Sequence, residues 1–212
     1  MIIDPRWEKL NQFIALWHRP LVPEDGYSSE EIAAVEAELA IRFPDALRQW
    51  YLTAGRWYQL LQVQDYQLEL DELDSDEGVL VFQVENQEVC VWSVHQEDFE
   101  KPDPPVYDEE NEAVQSERLS DFLLCSVIKE TAWACCEETV TGQGKASLFT
   151  VLDSNFTLWF ADNDFERYYA TDDAIAIAGQ DPEGGTWIML SAKTQDALIG
   201  YKAPFSKEVR WQ

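Results

Sequence analysis

Residues 78–107 read GVLVFQVENQEVCVWSVHQEDFEKPDPPVY, and this stretch decides the fold that we predict. Two short apolar runs, 79–84 and 89–94, flank a polar centre of Glu85, Asn86, Gln87 and Glu88. Runs rich in β-branched and aromatic residues on either side of a short polar segment predict a β-hairpin. Both faces of these runs are apolar near the middle, so we expect the hairpin to lie at the centre of a sheet.

Acidic residues crowd the sequence on both sides of this hairpin. Between Asp65 and Glu112 there are 17 acidic residues and one base, Lys101, which gives this segment a net charge of −16. Two interpretations remain open: a solvated loop face, or a surface that docks a basic partner. The candidate partner-binding residues are Asp71, Glu72, Asp74, Asp76, Glu77, Glu97, Asp98, Glu100, Asp103, Asp108, Glu109 and Glu110.

The composition of the chain narrows the class of protein. The chain has 212 residues, 46% of them hydrophobic, and a formal net charge of −26 at pH 7. The apolar fraction supports a packed core, and the length suits a single domain over residues 1–212, while two small domains are also compatible. A strongly negative field repels nucleic acid and anionic membranes, so we expect a basic protein partner instead. The alternative interpretation is that the charge serves only solubility.

The cysteines and the N-terminal sequence indicate the cellular compartment in which the protein resides. Cys90, Cys125, Cys135 and Cys136 lie in apolar patterns, and two of them are adjacent. This spacing fits neither a disulfide framework nor a zinc site, so we interpret them as buried thiols in a reducing compartment. There is no basic leader followed by an apolar segment, and no apolar run approaches the roughly 20 residues that span a bilayer. The sequence therefore predicts a cytoplasmic protein.

Helices are predicted before the hairpin. The first begins at Asp4-Pro5. Its buried stripe has helical spacing and consists of Trp7, Leu10, Ile14 and Trp17. Ser28 and Glu31 form the capping box of a second helix, which Phe43-Pro44 must end. A third helix follows and ends near Gly55, with Leu47, Trp50 and Tyr51 pointing inward.

The chain after the hairpin mixes helix and strand signals. LSD at 119–121 opens another helix, with Ser120 as its N-cap, that runs to about Cys136. TGQG at 141–144 and DSN at 153–155 predict turns. The remaining elements are short strands and a final helix, predicted at 147–152, 156–160, 167–170, 174–179, 186–190 and 193–199.

The sequence gives little support to catalysis. Neither His18 nor His95 belongs to a nucleophile motif, and no glycine-rich phosphate loop is present. We therefore interpret each histidine as an ordinary structural residue. Paired carboxylates for an acid-dependent hydrolase are abundant but follow no specific pattern, so that activity is only a third alternative.

Two acidic stretches partly match the pattern of a metal site. Residues 162–166 place carboxylates at alternate positions, as a calcium loop does, but Arg167 replaces the glycine at the sixth position and Asp173 the glutamate at the twelfth. Asp71, Asp74 and Asp76 form an equally incomplete set. We expect no metal and no other cofactor.

Three segments, with a helix that fits what usually follows them, resemble the SUKH superfamily, which includes Smi/Knr-type cell-wall regulators and bacterial immunity proteins. The segments are SSEEIAAVEAELAIRFPDALRQWYLTAG at 28–55, VLVFQVENQEVCVWSV at 79–94 and PDPPVY at 102–107, and the helix begins with LSDFLL at 119–124. The resemblance covers about residues 28–136, so the N-terminal helix and the C-terminal strands would be elaborations. The positions that match the family pattern are Glu85, Asn86, Gln87, Trp92, Pro105 and Val106.

This resemblance implies an α+β fold with a mixed, mostly antiparallel sheet packed by helices. It also implies a protein without catalytic residues that acts by binding. Bacterial members are typically immunity proteins that neutralise secreted toxins, often nucleases, so the implied partner is a basic toxin domain. A regulatory scaffold that binds an endogenous partner is the alternative.

Overall fold

The computed structural model describes residues 5–57, 60–162, 166–180 and 184–212. The chain divides into two compact units, Met1–Glu130 and Thr131–Gln212, and each contains helices and one antiparallel sheet. The predicted α+β class is therefore confirmed. We expected one mixed, mostly antiparallel sheet and find two antiparallel ones. The SUKH-like form of the fold and the single domain stay predictions.

The first helix, α1, spans Pro5–Trp17. Its predicted stripe is buried, and Phe13 joins it with no exposed surface. Beyond α1 the chain forms a single 3-10 turn at Pro23–Asp25, where the Asp25 carboxylate pairs with Arg19 over 2.7 Å. The hydrophobic spacing thus predicted this helix correctly from sequence.

The next two helices also match the prediction. α2 spans Ser29–Glu38, and its capping box is present: the Glu31 amide donates to the Ser28 hydroxyl over 3.2 Å, and the Ser28 amide donates to the Glu31 carboxylate over 2.9 Å. α3 spans Asp45–Thr53 and begins directly after Pro44. Its fully buried residues include the predicted Leu47, Trp50 and Tyr51.

The first sheet has the predicted hairpin at its centre. Its strands are β1 (Asp65–Gln67), β2 (Asp74–Asp76), β3 (Val79–Glu85), β4 (Val91–His95), β5 (Val106–Asp108) and β6 (Ala113–Ser116). The order is β1-β3-β4-β5-β6, and β2 pairs with the other end of β3, beside β1. Each described pairing in this sheet is antiparallel.

One face of this sheet builds the core of the first unit. Leu80 and Val94 are partners in register, and both are 0% exposed. The register then shifts around Phe82, which forms a β-bulge, and Phe82 remains fully buried. Its ring packs edge-on against Phe122 of α4 (Leu119–Cys135), with 5.7 Å between the ring centroids.

Helix α4 corrects one sequence-based prediction. It begins at Leu119, so Ser120 lies in its first turn and is not the N-cap. The cap comes from Asp103, whose carboxylate accepts the Ser120 amide over 2.9 Å and the Ser120 hydroxyl over 2.6 Å. Local capping rules missed this arrangement because the capping carboxylate lies 17 residues upstream.

The second unit is built on its own sheet. Its elements after α4 are β7 (Glu138–Gly144), α5 (Leu148–Asn155), β8 (Thr157–Asp162), β9 (Glu166–Ala170), β10 (Ala174–Gln180), β11 (Thr186–Ala192), α6 (Gln195–Lys202) and β12 (Val209–Trp211). The strand order is β12-β7-β11-β10-β9-β8. Strands β8 to β11 and helix α6 confirm the prediction. Leu152 and Leu198 from the helices pack with Ile188 and Leu190 of the sheet in one core.

The predicted turn at 141–144 is wrong, because these residues form the end of β7. They pair with β11 on one side and with β12 on the other. A Cβ atom at Gly142 would lie 2.6 Å from the Val209 side chain and 3.0 Å from the Arg210 carbonyl oxygen. Glycine is present because β12 approaches closely, which is a common role of glycine inside a strand.

The predicted strand at 147–152 and the turn at 153–155 are also wrong, because both segments belong to α5. Leu148 and Leu152 lie four residues apart on one helix face, and both are 0% exposed. The apolar run is so short that its pattern does not distinguish a strand from a buried helix.

Candidate functional site

The face of the first sheet opposite its core carries the candidate site. Antiparallel partners project to the same face of a sheet, so the register defines which side chains lie together. Asp76, Val79 and His95 form one row across three strands. The neighbouring row consists of Asp74, Val81, Ser93, Tyr107 and Val114. We call these two rows the outer face.

One corner of the outer face is an open depression with a volume of about 350 Å³. Its apolar lining consists of Leu68, Val79 and Val81. Its acidic rim consists of Glu72, Asp74, Asp76 and Glu77, all exposed. Carboxylates around an apolar floor suit a lysine or arginine side chain, which has an apolar stem and a charged end.

The rim carboxylates are not neutralised by the protein itself. Within the described residues, none of the four forms an ion pair with a lysine or an arginine. The hydrogen bonds that they do accept are local: Asp74 binds the Ser75 amide over 2.7 Å, and Glu72 binds the Glu69 amide over 2.8 Å. The corner therefore presents concentrated negative charge to the solvent.

A tight turn positions this corner. Glu77 and Gly78 join β2 to β3, and both have positive φ angles, +48° and +84°. Two positive φ angles at the centre of a two-residue hairpin loop correspond to a type I′ turn, which favours Asn-Gly or Asp-Gly. The Gly78 carbonyl accepts the Gln96 amide over 2.7 Å, which ties the turn to the segment after β4.

His95 lies on the outer face at the end of β4, where it pairs in register with Val79 of the depression. Its ring stacks on Tyr107, with 3.8 Å between the centroids and 5° between the planes. His95 Nε2 lies 2.8 Å from the Glu109 carboxylate, which also accepts the Ser93 hydroxyl. Serine and histidine both contact the same glutamate oxygen rather than each other, so the cluster lacks the serine–histidine contact of a hydrolytic triad.

Three candidate partner-binding residues serve structural roles. Asp98 is 3% exposed, accepts the Tyr107 hydroxyl over 2.8 Å and pairs with Lys101 over 2.5 Å. Burial would raise the pKa of Asp98, but these contacts outweigh it and hold that pKa below its ordinary value. Asp103 caps α4. Asp108 is 8% exposed and accepts hydrogen bonds from the turn that follows it.

The other candidates keep their carboxylates accessible to different degrees. Glu109 is half-buried in the His95 cluster. The exposed ones away from the depression are Asp71, Glu97, Glu100 and Glu110. The structure thus separates the acidic segment into buried groups that hold turns and exposed groups that face solvent.

The positions that match the SUKH pattern hold the geometry of the central hairpin. The Glu85 carboxylate accepts the Gln87 amide over 2.7 Å, and the Asn86 amide donates to the Gln64 carbonyl over 3.0 Å. Trp92 is half-buried, with its ring 5.7 Å from Phe122. Val106 is fully buried on β5 and Pro105, just before it, is half-buried.

Two carboxyl groups with raised pKa values, the half-buried Asp65 and the buried Glu130, lie outside the depression. Burial and the nearby Glu130 raise the pKa of Asp65 to about 6. Burial also raises the pKa of Glu130, although its carboxylate accepts the amides of Val63, Gln64 and Asp65 at 2.6–3.2 Å. This arrangement fixes the loop that leads into β1.

The geometry of the side chains also bears on metal binding. Among the described residues, no group of three or more His, Cys, Asp or Glu side chains is arranged to hold a metal ion. The described residues include Asp71, Asp74 and Asp76. Residues 163–165 of the other candidate stretch lie outside the described residues.

Reasoning from sequence missed the apolar and aromatic part of the outer face. Leu68, Val79, Val81, His95 and Tyr107 were not predicted to take part in binding. A signal was present, since Val79 and Val81 alternate with Leu80 in the period of two that separates the faces of a strand.

The fold and this surface define an α+β protein with an open, acidic sheet face. Comparisons of the chain with protein-family models, curated proteins and solved structures found no match. In the part of the chain that the structure describes, no helix has the length and apolar character needed to cross a membrane.

Proposed function

We propose that this protein is a non-enzymatic binding protein that docks a basic protein surface on the outer face of its first sheet. The observation that carries the proposal is the depression, where Glu72, Asp74, Asp76 and Glu77 surround an apolar floor without a cation partner among the described residues. Unsatisfied charge of one sign beside exposed apolar surface favours a partner of the opposite sign.

The chemistry of the depression sets the form of the contact. A lysine or arginine of the partner would lay its methylene groups on Val79 and Val81 and place its cation between Asp74 and Asp76. The net charge of −26 would speed the encounter with a basic partner, and salt would slow it. Binding should therefore weaken as ionic strength rises.

The particular function that we propose is that of a cytoplasmic immunity protein. The support is the SUKH-like pattern of the sequence together with the acidic outer face, which suits a basic toxin domain such as a nuclease. The alternative is a regulatory scaffold that binds an endogenous partner through the same face. Both proposals share the docking surface and differ in the partner.

Charge neutralisation at the depression tests the docking surface. The double variant Asp74→Asn with Asp76→Asn should bind a decalysine peptide about tenfold more weakly than the wild type, since each exposed ion pair contributes up to about 1 kcal/mol. Isothermal titration at low salt measures the difference. The matched control, Glu30→Gln with Glu38→Gln, removes two exposed carboxylates from α2, outside the sheet. Equal weakening by both pairs would reject the depression as the site.

Co-purification tests the choice of partner. We expect the product of the adjacent gene to be a toxin that is retained by the wild type and lost in the Asp74→Asn, Asp76→Asn variant. A housekeeping neighbour that is retained would favour the regulatory scaffold. A toxin that is retained equally by the variant would show that immunity uses another surface.

A further inference from the structure

The ring of His95 lies on the outer face at the end of β4, between Glu109 and the acidic corner of the β2–β3 turn. It pairs in register with Val79, which in turn pairs with Asp76. Two strand spacings place His95 at about 10 Å from Asp76. Its side chain is 28% exposed, so protons and a docked partner both reach it.

The charged and titratable groups around His95 come from each neighbouring element. Tyr107 of β5 stacks on the ring, and Glu109 after β5 binds Nε2. Asp98 in the turn after β4 binds Tyr107 and pairs with Lys101. The β2–β3 corner contributes Asp76 and Glu77, while β4 itself contributes the neutral Ser93. Acidic groups therefore dominate the surroundings.

We propose that His95 makes the docking surface sensitive to pH, so that protonation of its ring weakens the binding of a basic partner. This inference rests on the proposed function. Histidine changes charge between about pH 5 and 8, unlike any other ordinary side chain. The added positive charge partly neutralises the outer face and repels the cations of the partner across a short distance. The pairing with Glu109 keeps the protonated ring in place.

The size of the effect follows from Coulomb's law. One added charge at about 6–10 Å from a bound ammonium group, near a solvated surface, changes affinity by about twofold to fivefold. Because the net charge is −26, the long-range attraction survives protonation. We therefore expect the affinity for a basic partner to change gradually with pH, with stronger binding at pH 7.5 and weaker binding at pH 5.5.

Decalysine is the probe for this experiment, because its side chains stay charged throughout the range. Affinity of the wild type should fall about threefold between pH 7.5 and pH 5.5 at constant ionic strength. In His95→Gln, which keeps a hydrogen-bond donor for Glu109, affinity should be the same at both pH values. The chain has two histidines, so His18→Gln is a matched control that should retain the full response.

Asp65 is the second control, because its pKa of about 6 lies inside the range. Asp65→Asn should also retain the response. A pH response that persists in His95→Gln, or that disappears in Asp65→Asn, would overturn the role of His95. A wild type that binds equally at both pH values would overturn it as well. Failure of decalysine to bind at either pH would instead reject the proposed docking function.

Discussion

The two units of the chain differ in the kind of polar side chain that they bury. Among the described residues, the buried carboxylates all belong to the first unit, and they are Asp25, Asp98, Asp108 and Glu130. The buried polar side chains of the second unit are hydroxyls, from Thr131, Thr186 and Ser191. The first unit thus uses charge to hold its turns, whereas the second depends on apolar packing.

The two sheets show the same difference. In the first sheet, β3 alternates between the fully buried Leu80 and the half-buried Val79 and Val81, which is typical of a sheet with one open face. In the second sheet, β10 is buried at each position from Ala174 to Gly179. A strand buried on both sides leaves no surface for a partner. The open face of the first sheet therefore supports the proposal that the docking surface belongs to the first unit.

The open depressions of the two units differ in charge as well. The depression of the second unit, about 270 Å³ in volume, is lined by Lys145, Lys207 and Arg210 among others. Lys145 Nζ donates to the Lys207 carbonyl over 3.2 Å, and Glu208 accepts the Ser147 hydroxyl nearby. The depression of the second unit thus carries basic side chains, whereas the rim in the first unit carries acidic ones.

The largest expected effect is on core packing. Leu190→Ala in the second unit and Leu80→Ala in the first remove side chains that are both 0% exposed. Each should lower the free energy of unfolding by about 3 kcal/mol, measured by urea denaturation. Only Leu80→Ala should also weaken decalysine binding, because Leu80 lies between Val79 and Val81 of the depression. If folded Leu190→Ala bound decalysine more weakly, the proposal that docking depends on the first unit alone would be contradicted.

A smaller effect is expected at the half-buried carboxyl group of Asp65. Its carboxyl ionises near pH 3.8 in the unfolded chain and near pH 6 in the folded protein. The folded state therefore holds the proton more tightly, and stability falls as pH rises from about 4 to 6. Asp65→Asn removes this loss, so it should stabilise the protein above pH 6 by about 1 kcal/mol after allowance for solvent screening.

Urea denaturation of Asp65→Asn and wild type at pH 4.5 and 7.5 checks this expectation. The gain should be full at pH 7.5 and smaller at pH 4.5. Leu190→Ala serves as the control, since its cost comes from apolar packing and should be the same at both pH values. A gain of equal size at both pH values would show that Asp65 does not carry a charge penalty in the fold.

Much of the fold follows from local patterns in the sequence. Two features were predicted because the residues that form each are close together in sequence. They are the capping box of Ser28 and Glu31 and the hairpin on both sides of Asn86. Helix α5 was missed because its apolar run is too short to distinguish a strand from a buried helix. The strand end at Gly142 was missed because β12, which approaches it closely through Val209, is distant in sequence. Local rules cannot detect a contact that the chain makes only after folding.

The candidate site was predicted in outline only. The density of acids located it, but sequence could not separate Asp98 and Asp108, which are buried, from Asp74 and Asp76, which are exposed. That separation depends on contacts made after folding: Asp98 binds Tyr107 and Lys101, and Asp108 binds the turn that follows it, whereas Asp74 and Asp76 lie on β2 with exposed side chains. The function of the surface remains a proposal that the variants above test.

The smallest expected effect separates local charge from the overall field of the protein. Glu77 and Glu88 both have positive φ angles, +48° and +58°, which asparagine adopts with less strain than glutamate. Glu77→Asn and Glu88→Asn should therefore each stabilise the protein by about 0.5 kcal/mol, and each removes one exposed carboxylate.

Only Glu77 lines the depression, so only Glu77→Asn should weaken decalysine binding, by about threefold. A variant that is more stable and yet binds less well cannot owe its lost affinity to misfolding. If Glu88→Asn weakens binding as much as Glu77→Asn, the partner senses the total charge of the first unit, and the outer face has no special part in recognition.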